Sequence, residues 1–171
     1  MGIFKTFSEK QINLVVEKLA KRITEDYSLT DELILVGILK GSFIFLADLI
    51  RKIDLPVVKV EFMSVSSYIN NVQGSEIKID LDLSTSIADK DVLVIEDIID
   101  SGKTLSKIID LLAQRHPKSL KMCVLLNKKK HRGIFDMHID YCGVEIPDVY
   151  PFGYGLDDKQ FLRGLPFIAI K

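Results

Sequence analysis

Three carboxylates, two hydroxyls, a glycine and a lysine crowd the stretch Glu96-Asp97-Ile98-Ile99-Asp100-Ser101-Gly102-Lys103-Thr104. Ahead of it, Val92 to Ile95 form a short apolar run that reads as a buried strand. Behind it, Leu105, Ile108, Ile109 and Leu112 recur at helical period. A small, glycine-containing turn between a strand and a helix start is suited to phosphate. Unpaired backbone N–H groups and the positive end of the helix dipole both point at the anion. The adjacent acids Glu96 and Asp97 suit the hydroxyls of a sugar, or a metal ion that holds them. Phosphate beside a diol points to a ribose phosphate.

Ser101-Gly102-Lys103-Thr104 has the tail of a Walker A loop, but that motif needs a glycine where this chain has Asp97. A carboxylate there repels a triphosphate, so the P-loop reading fails. A surface turn with a solvated lysine accounts for Ser-Gly-Lys-Thr alone. It does not account for three acids after a buried strand, which repel one another without stabilising a fold.

The elements that must position this stretch are legible on either side of it. Ser8-Glu9-Lys10-Gln11 reads as a capping box, and Ile12, Val15, Val16, Leu19 and Ile23 follow at helical period, predicting a helix over about residues 9–26. Leu33 to Leu39 reads as a buried strand and Ser42 to Ile53 as a helix ended by Asp54-Leu55-Pro56. Residues 57–66 alternate as a strand, with Val58, Val60 and Phe62 on one face. Residues 67–80 lose that alternation and gather Asn70, Asn71, Gln73 and Gly74, which predicts a long polar loop. Further on come a strand at 92–95, a helix at 103–115 and a strand at 120–126. Short apolar runs follow at 138–146 and 166–170. This order is the grammar of an α/β protein, a mostly parallel twisted sheet flanked by helices. Ligands on such sheets bind beyond the carboxyl ends of the strands. Three strands end in polar groups, at Lys40-Gly41, Glu96-Asp97 and Asn127-Lys128, so directionality brings these segments to one edge.

A chain of 171 residues, 47% of them hydrophobic, is expected to be one domain with a proper core. Its 23 basic and 24 acidic side chains nearly cancel, so neither nucleic acid nor an anionic membrane surface is an expected partner. No apolar run is long enough to span a bilayer, and Met1-Gly2-Ile3-Phe4-Lys5 lacks the apolar region of a secretory leader. Cys123 and Cys142 lie in apolar runs without metal-ligand spacing, and are expected to be reduced thiols of a cytoplasmic protein. His116 and His138 have no partner pattern and receive no catalytic role.

The central stretch resembles the phosphoribosyl diphosphate signature of the type I phosphoribosyltransferases, in the wording of their hypoxanthine-guanine branch. The resemblance continues through Leu39-Lys40-Gly41-Ser42, Ser67-Tyr68, Asp82-Leu83-Ser84-Thr85, Lys128, Val144-Glu145-Ile146-Pro147-Asp148, Gly153-Tyr154-Gly155-Leu156-Asp157 and Phe161-Leu162-Arg163. It runs from about residue 33 to the end. It implies one domain over 1–171, with a core at about 30–130 and a small hood formed by about 131–171 together with the N-terminal helix. It also implies transfer of a 5-phosphoribosyl group from phosphoribosyl diphosphate to N9 of hypoxanthine or guanine, in purine salvage, by a homodimer or homotetramer.

The resemblance assigns roles residue by residue. Ser101, Gly102, Lys103 and Thr104 are expected to cradle the 5′-phosphate, and Glu96 and Asp97 to meet the ribose hydroxyls directly or through metal. Asp100 is the expected general base toward purine N7, and as an Asp before a helix it also suits an N-cap. Lys128 is expected to donate to purine O6; an ammonium has no acceptor, which disfavours a 6-amino group. Lys40, Gly41 and Arg163 are expected at the diphosphate, with a cis peptide before Lys40. Tyr150 is expected to stack on the purine, Asp157 to lie near its edge, and Ser67 and Tyr68 to begin a lid over 67–80. The implied cofactor is Mg²⁺, with Glu96, Asp97 and Asp157 as candidate ligands, because a diphosphate leaving group needs neutralising by an ion that favours hard oxygens. One departure concerns Pro151, which lacks the N–H that the family residue directs at O6; losing such a bond costs about 0.5–1.5 kcal/mol. The alternatives are a xanthine-preferring transferase and a nucleotide-sensing regulator on the same fold. The regulator is disfavoured because all four carboxylates Glu96, Asp97, Asp100 and Asp157 are present.

Overall fold

The computed structural model describes residues 4–68, 76–128 and 138–171. The elements run β1 (Phe4–Phe7), α1 (Glu9–Asp26), β2 (Leu33–Ile38), α2 (Phe43–Ile50), β3 (Val58–Tyr68), β4 (Glu76–Leu81), β5 (Asp91–Ile99), α3 (Lys103–Ala113), β6 (Ser119–Lys128), β7 (Tyr141–Ile146), β8 (Pro151–Phe152) and β9 (Ile168–Ile170). Helix α1 starts where the capping box puts it: Gln11 N donates to the Ser8 side chain, and the Gln11 side chain accepts from Ser8 N at 2.9 Å. Its buried stripe is Ile12, Val16, Leu19, Ala20 and Ile23, and it packs against α2 and β7.

The main sheet has the order β4-β3-β2-β5-β6-β7, parallel throughout except for the antiparallel edge strand β4. Strand β2 is buried on both faces, which is why it reads as an unbroken apolar run. Leu33 and Leu35 face the layer containing α1 and α2, whereas Ile34, Val36 and Ile38 face the layer of Leu105, Ile108 and Leu112 on α3. The mostly parallel sheet covered by helices is the architecture expected from sequence. A second, three-stranded sheet has the order β1-β9-β8, so segments from both ends of the chain pair with each other. Among the described residues no helix is long and apolar enough to cross a membrane.

Three expectations need correction. Residues 67–80 are not all loop: β3 runs to Tyr68, and β4 occupies Glu76–Leu81, with Ser67 paired to Ile77 and Tyr68 to Glu76. The alternation Glu76-Ile77-Lys78-Ile79-Asp80-Leu81 is a strand signal that the neighbouring Asn and Gly residues obscured. The remainder of the expected lid, 69–75, lies outside the described residues. Strand β5 also does not stop at Ile95; it carries Glu96 and Asp97 within it and ends at Ile99. Pairing to β6 supplies backbone partners there, with Glu96 opposite Val124 and Ile98 opposite Leu126. Finally, Gly102, not Asp100, is the N-cap of α3, with φ +72°.

On β3 the apolar stripe is the less covered face. Val60 and Phe62 remain 36% and 38% exposed, while Glu61 on the other face is buried. Its carboxylate accepts from Ser84 N at 2.8 Å, from Ser84 Oγ at 2.8 Å and from Thr85 Oγ1 at 3.0 Å. The Asp82-Leu83-Ser84-Thr85 segment is therefore tied to the sheet through Glu61. The backbone N–H of Ser84, ahead of the hydroxyl donors, holds the Glu61 carboxyl below its ordinary value. A depressed folded-state pKa contributes stability above the unfolded-state value and loses it as pH falls through the folded one. Glu61→Gln should thus cost about 1–3 kcal/mol near neutral pH. The gap in melting temperature between the two proteins should close from about pH 5 toward about pH 3. A gap that stays constant through that range would remove the charged carboxylate as the cause.

Candidate active site

Strand order reverses between β2 and β5. From β2 the chain runs outward through α2 to β3 and β4, then returns to the other side of β2 as β5 and continues through α3 to β6. Such a switch point leaves a crevice at the carboxyl ends of the two central strands. The segments that follow β2 and β5, Leu39-Lys40-Gly41 and Asp100-Ser101-Gly102, meet there. A cavity of about 240 Å³ is lined by Leu39, Glu96, Asp100, Ser101, Gly102 and Thr104, with Ile38, Val65, Ile98, Ile99, Leu105 and Ile108 beneath.

The expected phosphate cradle opens α3. Gly102 takes the left-handed conformation that turns the chain into the helix, a conformation that favours glycine. The first N–H groups of the helix have no intrahelical acceptors. Ser101 Oγ accepts a long bond from Lys103 N at 3.5 Å. Lys103 and Thr104 are exposed, so both can meet a ligand arriving from solvent.

Beside the cradle, Asp97 is buried and Glu96 is half-buried. Burial, and then the adjoining Asp97, raise the Glu96 carboxyl well above the ordinary carboxylate range. Gly41 follows the cis peptide Leu39–Lys40 and presses directly on Asp97. A Cβ built on Gly41 would overlap the Asp97 carboxylate; even the farther oxygen, Oδ1, would be 2.8 Å away. A Cβ on Gly155 would in turn overlap the carbonyl oxygen of Gly41. Two glycines thus let the core acids, the loop after β2 and the segment after β8 stack at backbone distance.

That last segment is held open in an unusual backbone path. Gly153, Tyr154, Gly155, Lys159, Gln160 and Leu162 all have positive φ. Arg163 stitches it together, donating from Nη1 to Gly155 O at 2.8 Å and pairing through Nη2 with Asp157 Oδ1 at 2.8 Å. Gln160 N donates to the other Asp157 oxygen at 2.7 Å. Tyr154 Oη donates to Asp48 on α2 at 2.6 Å, anchoring the segment to the main layer. Asp157 and Arg163 are therefore brought together with each other, while Asp157 is not joined to the Glu96–Asp97 pair in any donor set. Among the described residues no three His, Cys, Asp or Glu side chains are grouped to hold a metal ion by themselves.

Lys128 is the last residue of β6 and is buried, yet its Nζ lies 3.1 Å from Asp100 Oδ1 and 3.7 Å from Asp148 Oδ1. Asp100, in the loop after β5, and Lys128, at the end of β6, both singled out by sequence, are direct partners. Tyr150 is 49% exposed, its hydroxyl donates to Asp157 O at 3.2 Å, and the Lys171 ammonium lies over its ring, 5.8 Å from the centroid. Pro151 sits in β8, the edge strand of the small sheet, where a missing N–H is tolerated. Sequence reasoning passed over Glu61. Asp148 and Gly155 stood within the motifs Val144-Glu145-Ile146-Pro147-Asp148 and Gly153-Tyr154-Gly155-Leu156-Asp157 but were given no individual role.

The chain is similar to known proteins over most of its length. The phosphoribosyl transferase domain, as a family, matches residues 7–159. The chain is 48% identical over 166 residues to a hypoxanthine-guanine phosphoribosyltransferase of Dictyostelium discoideum, across 95% of this chain and 92% of that protein. The solved structure of a hypoxanthine phosphoribosyltransferase from Staphylococcus aureus is similar with a TM-score of 0.91 and 41% identity, over 98% of this chain and 90% of that one. That of a Trypanosoma cruzi hypoxanthine phosphoribosyltransferase, in complex with the product IMP, is similar with a TM-score of 0.89 and 37% identity, over 97% and 92% of the two chains.

Proposed function

This chain belongs to the phosphoribosyl transferase domain family, and on that premise we propose that it transfers the 5-phosphoribosyl group of phosphoribosyl diphosphate to N9 of hypoxanthine and guanine. It is an enzyme of purine salvage acting on small-molecule substrates, and the products are IMP or GMP and diphosphate. The observation that carries the reading is the Lys128–Asp100 pair, with 3.1 Å between Nζ and Oδ1. On a 6-oxopurine the O6 acceptor and the N7–H donor are neighbours on one edge of the ring. A lysine donor beside a carboxylate acceptor is complementary to that edge, and adenine offers no acceptor at position 6.

In the proposed reaction the N9 lone pair attacks C1′ of the sugar, and the bond from C1′ to the diphosphate oxygen breaks with its electron pair leaving on diphosphate. Asp100 receives the proton from N7. Lys128 steadies O6, and the exposed ring of Tyr150 stacks on the base with Pro151 at its edge. Ser101, Gly102, Lys103 and Thr104 hold the 5′-phosphate, Lys40, Gly41 and Arg163 meet the diphosphate, and Ser67 and Tyr68 lead into the covering segment.

The acid pair fits Mg²⁺. Two adjoining hard-oxygen donors, one pushed upward by burial and by its neighbour, gain from a divalent cation. A site with only a carboxylate pair is ordinary for this ion, which takes its other oxygens from substrate phosphates and water. Glu96 and Asp97 would hold it, with Asp157 as a candidate on the purine side; when bound, it neutralises charge on the departing diphosphate. The whole chain, 1–171, is read as one domain, with a core of about 30–130 and a hood of about 131–171 plus the N-terminal helix; what supports that reading is the Gly41–Gly155 contact and the Tyr154–Asp48 bond. A homodimer or homotetramer completes it, supported by the half-exposed apolar strip of Val60, Phe62 and Leu81.

The decisive assay supplies phosphoribosyl diphosphate, Mg²⁺ and hypoxanthine, guanine, xanthine or adenine in turn. Lys128→Met, which retains the stem and loses the donor, should raise KM for hypoxanthine and guanine by comparable factors of about 10–100. An effect on one of the two bases only would show that Lys128 does not read O6.

A further inference from the structure

We propose that Asp148 is a positioning residue for Lys128, holding the ammonium's charge and direction while Asp100 changes its protonation. The inference rests on the reading above, in which Lys128 donates to O6 and Asp100 takes the N7 proton.

Lys128 ends β6 in register with Ile146 of β7. The chain then turns at Pro147, with Val149 N donating to Pro147 O at 2.9 Å, and this turn presents Asp148 to the lysine. The Lys128 side chain is 9% exposed, against 63% for Asp100 and 40% for Asp148. Nζ lies 3.1 Å from Asp100 Oδ1, a hydrogen-bonded pair, and 3.7 Å from Asp148 Oδ1, an ion pair too long for a direct hydrogen bond. One buried ammonium therefore faces carboxylates from two different elements, the loop after β5 and the turn after β7.

A single carboxylate suffices for an ammonium at rest. It does not suffice during the reaction. Once the N7 proton has passed to Asp100, that group is neutral, and Lys128 keeps only a hydrogen bond to a neutral carbonyl. A buried ammonium without a counter-charge is costly, and it relieves the cost by reorienting toward water. Asp148 has no part in proton transfer, so its charge persists through the step. Its longer separation also leaves the lysine's donors for O6 and Asp100. The arrangement divides labour between the carboxylates: Asp100 exchanges the proton, and Asp148 keeps the O6 donor aimed.

The test is a double-mutant cycle in steady-state kinetics on Asp148→Asn, Lys128→Met and the double variant, with Asp148→Glu as the charge-conserving control. Asp148→Asn should lower kcat/KM for hypoxanthine about 10-fold and leave KM for phosphoribosyl diphosphate unchanged. Asp148→Glu should restore most of the loss. In the Lys128→Met background, Asp148→Asn should add nothing. An equal loss in that background, a matching rise in KM for phosphoribosyl diphosphate, or unchanged kcat/KM in Asp148→Asn would each overturn the proposal. The readings separate cleanly. If Lys128→Met impairs hypoxanthine use and Asp148→Asn does not, only the role of Asp148 falls. If Lys128→Met is itself silent, the O6 reading falls and the positioning role with it.

Discussion

Asp100→Asn lowers turnover by about 10²–10⁴-fold while phosphoribosyl diphosphate continues to bind: this is the expected result if the carboxylate is the proton acceptor. The substitution is nearly isosteric, and its amide oxygen can still accept from Lys128, now at 3.1 Å from Asp100 Oδ1. What disappears is the ability to take a proton from N7. Asp100 is not the N-cap of α3, since Gly102 holds that position. The loss therefore cannot be charged to a weakened helix start, as it could be for a capping Asp. Single-turnover rates with hypoxanthine, set beside calorimetric binding of phosphoribosyl diphosphate, make the separation. Near-normal turnover would place the base elsewhere. A parallel collapse of phosphoribosyl diphosphate binding would make Asp100 a structural part of the cradle.

Gly41→Ala should be almost as damaging, at the other substrate. The backbone of Gly41 is not in a region closed to alanine; the obstacle is space. A Cβ there would overlap the Asp97 carboxylate, which is buried and cannot simply swing into solvent. The loop cannot retreat either, because Gly155 presses on the Gly41 carbonyl from the opposite side. Either the acid pair or the loop after β2 must move, and both belong to the phosphoribosyl diphosphate end of the site. We expect kcat/KM for phosphoribosyl diphosphate to fall at least about 100-fold, with a stability loss of about 1–3 kcal/mol in thermal melts. A variant that melts lower yet keeps its kinetics would show that the close approach serves packing alone. Gly155→Ala, clashing with the same loop from behind and strained by its φ of +96°, should fail in the same direction.

Some of this protein is determined by sequence because the determinants are local. The capping box at Ser8–Gln11 starts α1 through bonds between residues three apart, and it does so in the structure. The apolar run of β2 requires cover on both faces, so a doubly covered parallel sheet follows from composition and order. Strand polarity then delivers Lys40, Glu96 and Lys128 to one edge without any knowledge of packing. Other features depend on what lies opposite in space. Strand β5 continues through Glu96 and Asp97 because β6 is there to pair with it, and β3 and β4 extend into the expected loop because each completes the other's hydrogen bonds. Glu61 looks like a solvent-facing acid until the hydroxyls of Ser84 and Thr85 arrive from a segment more than twenty residues away. The fit of Gly41 against Asp97 and Gly155, and the sharing of Lys128 between Asp100 and Asp148, are likewise distances between separate strands and turns. Sequence determines which chemical groups the chain carries and the edge at which they gather, because local bonds and strand direction decide both. Tertiary structure alone decides which groups touch, because contact at about 3 Å is set by the register of strands that the chain joins only through its folds.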